Sequence, residues 1–394
     1  MAGLPFEGVT VLSLEQAVAA PFATRQLADL GARVIKIERP GAADFARGYD
    51  RTVRGQSSYF VWLNRSKESL SLDLKSPGGL AILGELLAES DVLVQNLAPG
   101  AATRMGLDTD SLAARFPKLI YCQISGFGSD GPWADRKAYD LLVQAECGLV
   151  SITGTPADIA KTAISIADIA AGMYAFTGIQ TALYTRAITG RAPTVSVSLF
   201  DALAEWMGSP AYYTMYGGSA PERVGAQHAT IAPYGPYTAS DGTSLLIAIQ
   251  NDREWTRFCA VVLGAPALAT LAEYATNSDR VAHRDELNAV ITKRFSEFGA
   301  PELVGMLEQS QVAYASLNTM RQFLDHPVLR ERDRWRSVDT PAGPIEALLP
   351  PATIGGFQPQ MGPVPALGEH TEQILRGLGR DSEEIDRLKA SNVI

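Results

Sequence analysis

A β-branched run at Val9–Leu14 is followed by a helical stretch at about Pro21–Leu30, a glycine at 31, and a second strand-like run at Arg33–Glu38. Strand, glycine-closed helix and strand make a βαβ unit, and such units imply a parallel sheet. The same pattern predicts strands at Ser69–Leu74, Asp91–Leu97, Leu119–Phe127 and Thr194–Leu199, with a helix over Pro77–Ser90. The fold class is therefore α/β. An acid closing the second strand, Glu38, invites a dinucleotide-binding reading. The first turn contradicts it: Glu15–Pro21 holds no glycine, so a pyrophosphate cannot approach the backbone as the GxGxxG fingerprint requires. A P-loop is absent too.

At 394 residues the chain exceeds one ordinary domain, and two lobes are expected. The 217–236 stretch, rich in Gly, Pro, Ala and Tyr, reads as a linker closing a first lobe over 1–216. A smaller lobe over 237–320 opens on a hairpin around Asp241-Gly242 and continues in helices near Arg253–Leu263, Arg284–Phe298 and Ala300–Gln309. Pro350–Leu367 reads as an extended return across the first lobe. A net charge of −9 argues against nucleic acid as the main partner, because binding a phosphate backbone needs a basic face. No apolar run reaches membrane-spanning length, and Met1–Gly8 has no signal-peptide pattern. Cys122, Cys147 and Cys259 lack CxxC spacing and are expected as buried thiols in a reducing cytoplasm. The four histidines are scattered, so no metal cluster is legible.

Chemistry is most legible at Ile164–Met173, an apolar run with Asp168 at its centre. Ile169, Met173, Phe176, Ile179 and Leu183 recur at helical spacing, so Asp168 sits where a helix begins. It is either an N-cap or a carboxylate nucleophile that the helix N-terminus keeps ionised, with Ala170, Ala171 and Gly172 leaving room beside it. The loop Ser125–Pro132 follows a strand and carries three glycines, which suit close approach of a ligand. Arg136 and Lys137 come next. Arg47, Arg51, Arg54, Arg65, Lys67 and Lys75 make the first lobe locally basic, either for a phosphorylated ligand or as a solvated face.

Seven motifs in order carry a family resemblance: Leu30–Pro40, Leu72–Lys75, Asn96–Gly100 with Arg104–Gly106, Gly126–Pro132, Lys137–Asp140, Asp168 and Leu367–Thr371. Together they resemble the family III CoA transferases, a group that includes α-methylacyl-CoA racemases as relatives. The resemblance covers nearly the whole chain. It implies a Rossmann-like parallel-sheet large domain that 321–394 returns to complete, a smaller α+β domain, and an interlocked homodimer. Asp168 matches the catalytic aspartate, which passes CoA from an acyl-CoA thioester to a free carboxylic acid through aspartyl anhydride and aspartyl-CoA thioester intermediates. Coenzyme A is then expected along Val18, Ala19, Arg39, Leu72, Asp73, Leu74, Lys75, Asn96, Leu97, Ala98, Arg104, Arg136, Lys137, Ala138, Tyr139 and Asp140. Arg39, Lys75, Arg104 and Lys137 would meet its phosphates, and the Leu72–Leu74 backbone its adenine.

Two positions depart from the family pattern: Val18 stands where some members have glutamine, and Glu68 where a basic residue is frequent. Racemases carry histidine at position 139. Tyr139 favours a transferase, because a phenol of ordinary pKa near 10 is a poor base at neutral pH. Epimerisation through Asp168 is the alternative, and a non-catalytic CoA-binding protein would be expected to lose Asp168. Tyr59–Leu70 and Phe45–Asp50 look most like the subgroup acting on small dicarboxylates such as succinate, mesaconate, citramalate, itaconate and malate. Arg47, Arg51 and Arg54 are the expected grips for the second carboxylate.

Overall fold

The computed structural model describes residues 3–394, and the chain divides into two compact units. The first comprises 1–147, 162–208 and 330–394; the second comprises 148–161 and 209–329. In the first unit six strands form one sheet in the order β3-β2-β1-β4-β5-β6. They are β1 (Thr10–Leu14), β2 (Arg33–Glu38), β3 (Lys67–Ser71), β4 (Val92–Gln95), β5 (Ile120–Ser125) and β6 (Val195–Ser198). All five pairings are parallel. The chain starts in the middle, winds outward to β3 and returns past β1 to β4. Such a reversal opens a crevice beyond the carboxyl ends of β1 and β4.

One sheet face is apolar. Leu12, Leu14, Ile35, Ile37, Leu70 and Leu93 pack with Ile82, Leu83, Leu86 and Leu87 of the Pro77–Ala88 helix and with Ile374, Leu375 and Ile385 near the C-terminus. Each such side chain stabilises by about 1.5–3 kcal/mol on full burial. The opposite face lies under α1 (Ala19–Asp29) and the long helix Ile166–Thr189, which pack along each other. Strand alternation places Lys36 and Lys67 on this second face, fully out of water.

The end of the proline-rich tail and the residues after it are bonded along the edge strand β3. Ser66 N–H donates to Pro363 O (2.8 Å), His370 N–H to Ser69 O (3.0 Å) and Ser71 N–H to Thr371 Oγ1 (2.9 Å). Before it comes a hairpin of β10 (Trp335–Val338) and β11 (Ile345–Leu348) that the sequence did not disclose.

In the second unit the hairpin around Gly242 is present as β7 (Tyr234–Thr238) and β8 (Ser244–Ala248), joined by β9 (Ala313–Ser316). Its core includes Ile247, Trp255, Phe258, Leu287, Ile291, Phe295 and Leu303, with the buried Arg280 over the Trp255 ring. The stretch read as a linker is preceded by a helix, Gly208–Gly217, and contains the start of β7.

Candidate active site

Asp168 is the third residue of the Ile166–Thr189 helix and does not cap it. Asp140, at the start of the Asp140–Glu146 helix, does so from across the site. Its Oδ1 accepts from Ala167 N–H (2.8 Å) and Asp168 N–H (3.3 Å), and its Oδ2 from Gln144 Nε2 (2.7 Å). Ile166 N–H and Ile169 N–H go to Ile164 O and Ser165 O (both 2.9 Å). With these donors spoken for, the helix end does not keep Asp168 ionised as the sequence suggested. No described residue gives its carboxyl a hydrogen bond. Burial, reinforced by the Asp140 charge, pushes it up to about 7. A desolvated carboxylate without donors is a stronger nucleophile than a solvated one, and near neutrality a good part of it is ionised.

Gly172 lies one turn after Asp168 on the same face. A Cβ there would stand 2.6 Å from Ala19 O and 3.1 Å from Phe22 Cβ, so only glycine lets α1 come this close. The turn entering α1 is itself unusual. Ala17 has φ +61°, a left-handed conformation that costs an ordinary residue about 1–2 kcal/mol. It is cross-stitched from both sides of the crevice. Asn96, just past β4, accepts from Gln16 N–H (2.8 Å) and donates to Gln16 O (2.9 Å), while Asp44 Oδ1 accepts from Ala17 N–H (3.1 Å).

Beneath this turn lies a buried ionic network. Glu15 Oε1 receives Lys67 (2.7 Å) and Lys36 (3.3 Å), its other oxygen accepts from Thr24 (2.5 Å), and Lys36 also binds Asp44 Oδ2 (2.7 Å). Glu38 takes both arms of Arg47 (2.8 and 2.7 Å) and the Ser69 hydroxyl (2.7 Å). Burial alone would raise the Glu15 pKa, but Lys67 and Lys36 hold it down at about 2. Of the six cations that make the first lobe basic, Arg47, Arg65 and Lys67 are thus held by internal acids, while Arg51, Arg54 and Lys75 are exposed. Arg65, buried like Lys67, binds Asp29 through two bonds of 2.8 and 2.7 Å. Glu38, the residue that invited a dinucleotide, is occupied by Arg47, so Arg47 is also not free to grip a substrate carboxylate. Glu68, at the position of a frequent basic residue, grips Arg33 (2.9 and 2.8 Å).

The residues expected at coenzyme A follow the carboxyl ends of the strands. Val18 and Ala19 come after β1, Arg39 after β2, Leu72–Lys75 after β3, Asn96–Ala98 and Arg104 after β4, and Arg136–Asp140 after β5. Arg39, Lys75, Arg104 and Lys137 are exposed, and none has a carboxylate within ion-pair distance among the described residues. Other members of the set are engaged within the protein. The Leu72 side chain is buried, and Leu72 N–H and Asp73 N–H bond to Glu38 O and Val393 O (both 2.8 Å). Leu97 N–H bonds to Gln95 Oε1 (2.8 Å), Asn96 holds the Gln16 peptide, and Asp140 caps the long helix. Arg136 pairs with Glu146 (2.6 Å) and lies 4.1 Å over the Trp133 ring. In the glycine loop, a Cβ on Gly126 would collide with Ala138, so that glycine lets the 137–139 segment lie against the end of β5.

Sequence reasoning overlooked Tyr49. It sits in the Phe45–Asp50 segment that was read for its arginine, and its ring is edge-on to Tyr59 at 5.4 Å. Burial and the charges of Asp44 and Asp168 push its phenol up to about 12, which sets it in the field of the candidate nucleophile.

A doubly wound sheet with exposed cations along its carboxyl edge and a desolvated aspartate has the features of a site for an anionic ligand. The chain belongs to CoA-transferase family III, whose sequence model matches residues 6–371. It is 33% identical to the mouse (Mus musculus) succinyl-CoA:glutarate CoA-transferase over 99% of this chain and 90% of that one. It is 36% identical to the acetyl-CoA:oxalate CoA-transferase of Acetobacter aceti over 87% and 89% respectively. The crystal structure of a CAIB/BAIF family protein from Brucella suis superposes with a TM-score of 0.83 at 32% identity, covering 96% of this chain and all of that one. Among the described residues no helix is long and apolar enough to cross a membrane.

Proposed function

We propose that this CoA-transferase moves CoA between acyl-CoA thioesters and small dicarboxylates, with Asp168 as the nucleophile. The observation that carries the mechanism is the bare, desolvated Asp168 carboxyl at the carboxyl edge of the sheet. The Asp168 carboxylate attacks the donor thioester carbonyl and expels CoA thiolate, leaving a mixed anhydride. The thiolate attacks the aspartyl carbonyl, releasing the donor acid and forming an aspartyl-CoA thioester. The acceptor carboxylate displaces the thiolate to form a second anhydride. Attack of the thiolate on the acceptor's acyl carbon then releases the new acyl-CoA and restores Asp168. Each step trades one acyl bond for another, so the sequence is reversible.

Coenzyme A lies over the strand ends in this reading, its phosphates on Arg39, Lys75, Arg104 and Lys137. The dicarboxylate assignment is supported by the relatives, whose named acceptors, glutarate and oxalate, each carry two carboxylates. With Arg47 committed to Glu38, the exposed Arg51 and Arg54 remain for the second carboxylate. An interlocked homodimer is supported by apolar side chains left in water, among them Tyr184 and Ile188 of the long helix and Tyr212, Met215 and Tyr216 of the Gly208–Gly217 helix.

Asp168→Asn is expected to abolish transfer, and acyl-CoA with hydroxylamine to inactivate the native enzyme only, leaving an Asp168 hydroxamate visible by peptide mass spectrometry. Wild-type turnover in Asp168→Asn overturns the nucleophile. For substrate, kcat/KM is expected to be higher for succinyl-CoA than for butyryl-CoA; equal values remove the dicarboxylate and leave the transferase.

A further inference from the structure

We infer that Asp44 is a positioning residue for the transfer reaction, acting on the nucleophile through the strained turn at Ala17. The inference rests on Asp168 being the nucleophile.

A non-glycine residue persists in the left-handed region only where its surroundings over-determine it. At Ala17 the restraint can be read bond by bond. The preceding peptide is fixed by Asn96 on one side of the crevice. From the other side comes Asp44, whose Oδ1 takes the Ala17 N–H (3.1 Å) and the Ala46 N–H (2.9 Å). Asp44 is 1% exposed, and its second oxygen is anchored by Lys36 at 2.7 Å, so the acceptor facing Ala17 cannot swing away. The Gln16 side chain returns the stitch by accepting from Phe45 N–H (3.3 Å).

Two residues beyond Ala17 is Ala19, whose carbonyl is the atom closest to the empty Cβ position of Gly172, one helical turn from Asp168. The path therefore runs from the Asp44 carboxylate to the Ala17 backbone, into the first turn of α1, across to Gly172 and so to Asp168. Every link is backbone or a buried side chain, and rigid links transmit displacements that a flexible surface would absorb. Asp44 touches no reacting atom in this arrangement. Its effect is to fix where the nucleophile stands, and misplacement of a reacting group lowers turnover more than it weakens binding.

The test is a double-mutant cycle of Asp44→Ala and Ala17→Gly, with kcat and KM for acyl-CoA read separately. Asp44→Ala is expected to lower kcat at least about tenfold with KM changed less than about threefold, the pattern of lost orientation. Glycine adopts positive φ without steric cost, so Ala17→Gly is expected to recover about fivefold or more of kcat in the Asp44→Ala background than it adds to the native enzyme. The melting temperature stays depressed in the double variant, because Lys36 still lacks the nearer of its two carboxylates. Equal effects of Ala17→Gly in both backgrounds overturn the inference. Should Asp44→Ala not fold, Asp44→Asn carries the test: its single amide oxygen cannot accept from both Lys36 and Ala17, so kcat is expected to fall at least about tenfold with KM changed less than about threefold, and an unchanged kcat overturns the inference. The two readings fail separately. Wild-type turnover in Asp168→Asn removes the nucleophile, whereas an uncoupled cycle removes only the role of Asp44.

Discussion

Two sets of carboxylates lie at the same sheet edge and are treated in opposite ways. Under the β1–α1 turn, Glu15, Asp44 and Glu38 are matched by Lys36, Lys67 and Arg47, each acid held by several donors. At the start of the long helix, Asp168 has no donor among the described residues, and the charge that acts on it is another acid, Asp140. Burial disfavours the ionised form in both places. Partners reverse that preference at Glu15, and their absence lets it stand at Asp168. The comparison teaches that the cost of desolvation is neutralised where rigidity is needed and left in place where reactivity is needed.

The largest effect that separates the two sets is expected from Glu15→Gln. Removing one member of a buried ion network, which here leaves Lys67 without a carboxylate and Lys36 with Asp44 alone, costs about 3–5 kcal/mol. Urea unfolding measures it, and a loss below about 1 kcal/mol would mean that water reaches the network. Next comes Gly172→Ala. In an unconstrained helix this change stabilises by about 1 kcal/mol. Here the added Cβ meets Ala19 O, so a lower melting temperature and a fall in kcat of about tenfold or more are expected. A gain in stability would show that α1 and the long helix can part freely.

Asp168→Asn sharpens the comparison through stability. The Asp168 pKa is about 7 in the fold against an ordinary 3.8, so the folded state binds the proton more tightly. Native stability from this group is full below pH 3.8 and is lost as pH rises through 7. The asparagine variant should therefore melt higher than the native protein at pH 8, by about 2 °C or more, with the gap closing toward pH 5. The smallest effect is expected from Asp140→Asn. Loss of the like charge lowers the Asp168 pKa, so the rising limb of kcat/KM against pH, centred near 7 in the native enzyme, moves to lower pH by less than about one unit. A shift to higher pH would reverse the assigned influence.

The sequence disclosed the elements better than their partners. Strand runs, the glycine closing at 31 and the hairpin at Gly242 are local patterns, and they stand within a few residues of where they were read. The buried network depends on contacts far apart in sequence, such as Lys67 with Glu15 and Arg65 with Asp29, and lysine and arginine in isolation read as surface residues. One signal was present: Lys36 interrupts Val34–Ile37 in the middle of a strand expected to be buried on both faces. Asp168 was legible because its apolar helix begins beside it. Asp140 was not, because a cap supplied from another helix leaves no local spacing to find.

The tail along β3 has a consequence in time. During synthesis β3 emerges early, but the residues that bond to it arrive about 300 positions later, Ser69 to His370 being 301 apart. At about 5–20 residues per second, that edge waits roughly 15–60 s on the ribosome with its backbone groups unpaired. An open edge strand is a template for pairing with other chains. The growing polypeptide therefore passes through a window in which the 363–371 segment that will cover β3 has not yet been made. Ribosomes stalled within the second unit would release chains caught inside that window.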